Sequence, residues 1–163
     1  MKKVLIFTFS LICITYCHAQ KVTEGNLTML KDKRVNLIVD FSEGTIMGMD
    51  ETAFAELEQD WEKDKADVLG RIVSNASSKC KNKMVLGKLS KADYSIRIIV
   101  RSVSNNGSFL CDGEVLDNAG LVLSRFNGVK GRGGKFGSKL NLIKDGAERT
   151  GNDLGSFLNS NVK

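Results

Sequence analysis

Residues 94–116 constrain this chain more than any other stretch, because they read as two strands folded back on one another. Tyr94, Ile96, Ile98 and Val100 alternate with Arg97 and Arg101, which is the period of a strand with one buried and one wet face. Asn105-Asn106-Gly107 follows, and Asn and Gly tolerate the positive φ of a hairpin turn. The return run puts Phe109, Cys111 and Val115 on one face and Asp112 and Glu114 on the other. Arg97 and Arg101 are thereby placed to pair across the strands with Asp112 and Glu114. A second turn at 117–120 leads to a third strand over 121–126. The segment predicts an antiparallel meander with a charged outer face.

The remaining elements follow from periodicity. Val35, Leu37, Val39 and Phe41 alternate in a first strand over 34–41, residues 45–49 are a short extended piece, and 26–30 reads as a short strand. Asp50 can cap a helix. Behind it Phe54, Leu57, Trp61, Val68, Leu69, Ile72, Val73, Ala76 and Cys80 mark one face of a long helix over 51–79, with a bend at 62–67 where little is apolar. Residues 84–86 are a short strand, and 127–137 form a glycine-rich loop. Ser138 caps a last helix carrying Leu140, Ile143, Ala147, Gly151, Leu154 and Leu158. Gly146, Gly151 and Gly155 each weaken that helix by about 1 kcal/mol against Ala, and tight packing on the sheet is the simplest reason to keep them. The fold class is α+β: a two-layer sandwich of a mainly antiparallel sheet, with the long helix and the C-terminal helix on one face.

The chain begins with Lys2 and Lys3, an apolar run over 4–16 and Cys17-His18-Ala19, the layout of a secretory signal cleaved before Gln20. The run is short for a membrane span. Residues 1–19 are therefore assigned to a signal peptide and 20–163 to a single domain, exported to the periplasm or secreted. After cleavage no stable membrane span is expected. Tyr16 before Cys17 and Ile12 before Cys13 do not suit lipid attachment.

Removing Lys2 and Lys3 from the 24 basic residues leaves 22 against 19 acidic, a balance of +3. That mild charge implies no nucleic-acid partner, which would call for a denser basic stripe. The one histidine, His18, departs with the leader, and with it His triads, His general bases and His-ligated zinc. The reading is of a non-enzyme, with no cofactor and no metal. In an oxidising compartment Cys80 and Cys111 can close a disulfide; otherwise they are buried thiols acting as small hydrophobes.

Residues 128–138 tempt a phosphate reading, since amides at a helix start with Lys and Arg nearby can hold an anion. Both standard patterns fail: Val129 stands where a P-loop needs its first glycine, and Phe136 follows Lys135. For a dinucleotide fingerprint Gly137 arrives one residue late after Gly131 and Gly133. A flexible connection is the plainer reading. Asp40, Glu43, Asp112, Glu114 and Asp117 could supply a carboxylate pair for glycoside hydrolysis, but nothing fixes their separation. Trp61 and Tyr94 lie on apolar stripes and read as core rather than as a sugar platform.

Gly25-Asn26-Leu27, residues 35–41, Ala92-Asp93-Tyr94-Ser95-Ile96, residues 131–137 and the closing Gly151 with Asp153-Leu154-Gly155-Ser156-Phe157-Leu158 resemble a family of small exported Bacteroidetes proteins of unknown function. The order of elements is also similar to envelope modules of the CsgG or TolB N-terminal type, in which Ala-Asp-Tyr opens a strand and a glycine-rich loop precedes the last helix. The resemblance implies a non-catalytic binding or assembly role in the envelope, with an envelope protein or cell-wall component as partner, and it supplies no active-site residues. The expected contact surfaces are the wet sheet face, with Arg97, Arg101, Asp112 and Glu114, and the basic loop, with Lys130, Arg132 and Lys135. The runner-up function is binding of an anionic small molecule or glycan through loop 128–138.

Overall fold

In the computed structural model, which describes residues 20–163, the hairpin read from the sequence is built from β5 (Tyr94–Val103) and β6 (Phe109–Leu116), and β7 (Val122–Gly131) completes the meander. The leader, residues 1–19, lies outside the described residues. Ahead of the meander run β1 (Lys21–Glu24), a single 3-10 turn at Thr28–Leu30, β2 (Arg34–Asp40), β3 (Thr45–Ile46), α1 (Glu51–Leu57), α2 (Trp61–Cys80) and β4 (Val85–Gly87). The last element is α3 (Lys139–Asn161).

The strands form one sheet in the order β1-β7-β6-β5-β2-β4, with β3 also on β5. The class is α+β as expected; the sheet is mixed, with its longest ladders, β5–β6 and β6–β7, antiparallel and a parallel part around β2. β2 pairs in parallel with β4 and β5, and β3 pairs in parallel with β5. The cause is the crossover: α1 and α2 carry the chain back to the end where β2 began, so the next strands run the same way.

The helices lie on one side. Leu37, Ile96, Ile98, Val100, Cys111, Val115, Phe126 and Val129 share a single core with Trp61, Ile72, Ala76, Ile143, Leu154 and Leu158. Gly151 and Gly155 serve a helix seam rather than the sheet contact expected of them: a Cβ on Gly151 would lie 2.5 Å from the Ile72 carbonyl oxygen, and one on Gly155 2.6 Å from that of Ala76. Gly146 does meet the hairpin, with its added Cβ 1.8 Å from the Gly107 oxygen.

Other boundaries moved for physical reasons. The long helix breaks at Glu58, whose φ of −109° and ψ of 84° end α1; the Trp61 amide then donates to the Glu58 carbonyl and Trp61 turns into the core. The break comes a few residues before the expected bend, and Phe54 and Trp61 on either side of it pack against each other edge-on at 5.1 Å. Residues 26–30 are not a strand: Asn26 Oδ1 accepts from the Thr28 amide at 3.0 Å, and Leu27 and Leu30 are both buried, a spacing of three. Cys80 and Cys111 are separate free thiols, so no disulfide joins them. Cys80 Sγ bonds to the Ala76 carbonyl at 3.1 Å in the last turn of α2, whereas Cys111 is held in mid-strand opposite Val100 and Val129.

Candidate functional site

With the helices on one side, the other face of the sheet is open, and strand alternation decides what it carries. Glu24, Arg125, Glu114 and Arg97 are register partners across β1, β7, β6 and β5. They form one row of alternating charge. Arg97 Nη2 reaches Glu114 Oε2 at 2.5 Å, Arg125 Nε reaches Glu114 Oε1 at 3.1 Å, and Arg125 also bonds to Glu24. A second cluster centres on Arg101, whose Nε meets Asp112 Oδ2 at 2.8 Å and whose Nη1 meets Glu43 Oε2 at 2.7 Å. Each of the sequence-based pairs on this face therefore forms, and Glu24, Glu43 and Arg125 join them. The sequence signal for Arg125 was its place in the third strand; Glu43 stood out only as one of the candidate carboxylates, and Glu24 carried no signal.

These side chains also do hydrophobic work. Ile99 faces this side, outside the shared core, and is still only 3% exposed. Arg101, Asp112, Glu114 and Arg125 border a shallow cavity of about 170 Å³ beside it. Long arginine stems cover apolar surface while their heads stay in water. At the edge of the same face, Ile38 is the register partner of Arg97 and is 43% exposed.

The Arg97 guanidinium, through its hydrogen bond, holds Glu114 below the ordinary carboxylate range, with Arg125 adding to it against the cost of burial. A general acid for glycoside hydrolysis needs the opposite, a raised value. Asp112 is occupied by Arg101. Asp40 is likewise lowered, first by its hydrogen bonds to Ser42. Trp61 is buried and Tyr94 half-buried against the core, so neither offers a sugar platform.

The glycine-rich segment divides in two. Residues 127–131, expected as loop, are the end of β7: Gly131 pairs with Phe109, Lys130 with Leu110 and Val129 with Cys111. A Cβ on Gly131 would sit 2.0 Å from Thr150 Oγ1, and one on Gly133 1.7 Å from the Asn106 oxygen. These glycines allow close packing of β7 and the loop on α3 and the hairpin turn. The main-chain donors are spent as well. Lys130 N–H donates to Asp153 Oδ2 at 2.8 Å, Gly133 N–H to Ser108 Oγ at 2.8 Å and Gly134 N–H to the Leu142 carbonyl at 3.4 Å. No cradle of free amides exists at these positions. The side chains of Lys130, Arg132 and Lys135 are exposed; Lys130, opposite Leu110, extends from the open face of the sheet near its end, and Arg132 and Lys135 lie beyond it in the loop.

No family model matches the chain, and no curated protein matches it. Among solved structures it is similar to the PelC dodecamer from Paraburkholderia phytofirmans, at 12% identity with a TM-score of 0.49, covering 89% of this chain and 98% of that one. A single-residue variant of the same PelC dodecamer aligns at 13% identity with a TM-score of 0.44, over the same shares of each chain. Among the described residues no helix is long and apolar enough to cross a membrane.

Proposed function

We propose that this protein is a non-catalytic binding or assembly module exported to the bacterial envelope, and that its contact surface is the open face of the sheet. The observation that carries the reading is the alternating row Glu24, Arg125, Glu114 and Arg97, held together on a face that none of the described helices covers. Such a row is arranged before a partner arrives, and arranged charges give a contact its register and selectivity. Ile38 beside Arg97 supplies apolar surface at the rim. The export component rests on the pattern of residues 1–19. The partner class is another envelope protein or a cell-wall component. A small anion or glycan at 128–138 would have to rely on the Lys130, Arg132 and Lys135 side chains, since the nearby amides are already bonded.

A photo-crosslinking residue placed at Ile38 tests this in living cells, with one at Lys79 on the helix side as control. The reading expects one defined envelope component captured from Ile38, lost when Arg101→Glu inverts the second cluster. Capture from Lys79 alone, or adducts indifferent to Arg101→Glu, would overturn it.

A further inference from the structure

We infer that the loop between β7 and α3 docks the protein on an anionic lipid bilayer, with Phe136 entering the headgroup layer and Lys130, Arg132 and Lys135 facing the lipid phosphates. Phe136 is 89% exposed, although a ring on a loose loop would fold back onto apolar surface. This loop is not loose. Arg149 Nη1 donates to the Arg132 carbonyl at 2.8 Å and also to that of Gly133. Ser108 Oγ holds the Gly133 amide, and Ser138 Oγ accepts from the Asn141 amide at 3.3 Å where α3 begins. At Gly133 and Gly134 the backbone lies so close to the hairpin turn and α3 that a Cβ would collide with the Asn106 carbonyl or the Leu142 side chain. The base is clamped and the ring stands out from it.

A second apolar group shares this end of the molecule. Leu57 is 65% exposed at the end of α1, and its neighbour Glu58 meets Lys139 Nζ at 2.8 Å, three residues beyond Phe136.

The loop itself carries charge of one sign, and the next carboxylate along the chain, Asp145, packs from α3 against Gly134. From Asn127 to Lys144 the sequence holds Lys130, Arg132, Lys135, Lys139 and Lys144 and no carboxylate. Lys139 is taken by Glu58, and Lys144 by Asp64 and Asp67. Lys130, Arg132 and Lys135 make no ion pair among the described residues. A protein groove would account for the exposed ring, whereas the three cations around it, which outnumber the Asp145 carboxylate packed at Gly134, suit a plane of phosphates. A bilayer rich in anionic lipid accounts for both, because interfacial anchors combine an apolar insertion with basic residues at phosphate level. Three such cations raise partitioning onto an anionic surface by about a hundredfold. The surface suits long side chains following a plane of phosphates, which needs no free amides.

The test uses the full chain carrying Phe136→Trp. Trp61 is fully buried and gives a constant background, so a change in emission reports the introduced indole. Vesicles of phosphatidylcholine with about a third phosphatidylglycerol, brominated on their acyl chains, should shift that emission to the blue and quench it. Pure phosphatidylcholine vesicles and soluble glycerol phosphate should do neither. Arg132→Glu with Lys135→Glu should weaken the response at least about tenfold, as should raised salt. Arg101→Glu on the sheet face should leave it unchanged, which separates this surface from the partner surface proposed above. An indole that stays unquenched on the anionic vesicles overturns the inference. So does an equal response on neutral vesicles, a shift with glycerol phosphate alone, or a crosslink from position 136 to a protein.

Discussion

Arg97 Nη2 lies 2.5 Å from Glu114 Oε2, straight across the β5–β6 pair, while Arg125 takes the other oxygen of the same carboxylate. One acid thus serves two guanidiniums on the strands either side of it, and its value is lowered chiefly by Arg97. A group depressed in the folded state adds stability above its unfolded value and loses it as pH falls through the folded value. Stability should therefore decline from about pH 4.5, the ordinary value for this group, downward. Glu114→Gln should flatten that acid limb and cost about 1–2 kcal/mol at neutral pH, because Arg97 and Arg125 lose their shared acceptor. Urea midpoints of both proteins across the acid range check this; curves that stay parallel would refute it.

The seam between α2 and α3 predicts opposite signs for the same substitution. Gly151→Ala places a methyl 2.5 Å from the Ile72 carbonyl, an oxygen on helix backbone that cannot step aside. It should destabilise by about 1–3 kcal/mol. Gly70→Ala on α2 meets nothing within 4 Å and should stabilise by about 1 kcal/mol through helix propensity. Thermal denaturation of the two variants decides it.

Cys80 and Cys111 should resist thiol reagents until the protein unfolds. Burial pushes the Cys80 thiol up to about 11 and raises Cys111 further, and the thiolate is the reactive form. Site-resolved alkylation should label neither in the native state and both in denaturant, with no reductant needed. Rapid native labelling of either would contradict the packing described.

Trp61 meets Phe54 edge-on at 5.1 Å and Phe41 at 5.8 Å, and its Nε1 donates to Glu51 Oε1 at 3.1 Å. Phe54→Ala opens this cluster and should cost about 3–5 kcal/mol. It should also move the Trp61 emission to the red. A variant of unchanged stability would show that the α1 turn is not part of the cooperative core.

The charged face was legible because alternation in β5 and β6 is strict around Arg97, Arg101, Asp112 and Glu114, and cross-strand register follows from a short hairpin. The helices were legible from their apolar stripes and from the caps at Asp50 and Ser138, both of which accept the amides expected of them. Three things were hidden. The parallel seat of β2 depends on contacts between residues about sixty positions apart, as in Ile38 with Arg97, which no local pattern encodes. The end of β7 was masked because Gly128 and Gly131 interrupt the alternation of Phe126 and Val129, and the reason for Gly131 is Thr150 on another element. Glu24 and Glu43 sit in short or irregular segments where periodicity says nothing about direction.

The strand order also dictates a sequence of events during synthesis. β1 finds its partner in β7, β2 in β4 and β5, and β3 in β5, so no strand before α1 has a mate among the residues that leave the ribosome with it. The meander, with neighbours joined by tight turns, can assemble by itself, whereas parallel pairing must wait for loop closure over long separations. The amino-terminal half of this chain stays an unpaired template until its other half is made, and that open interval is when a holding chaperone or an unwanted strand would find it.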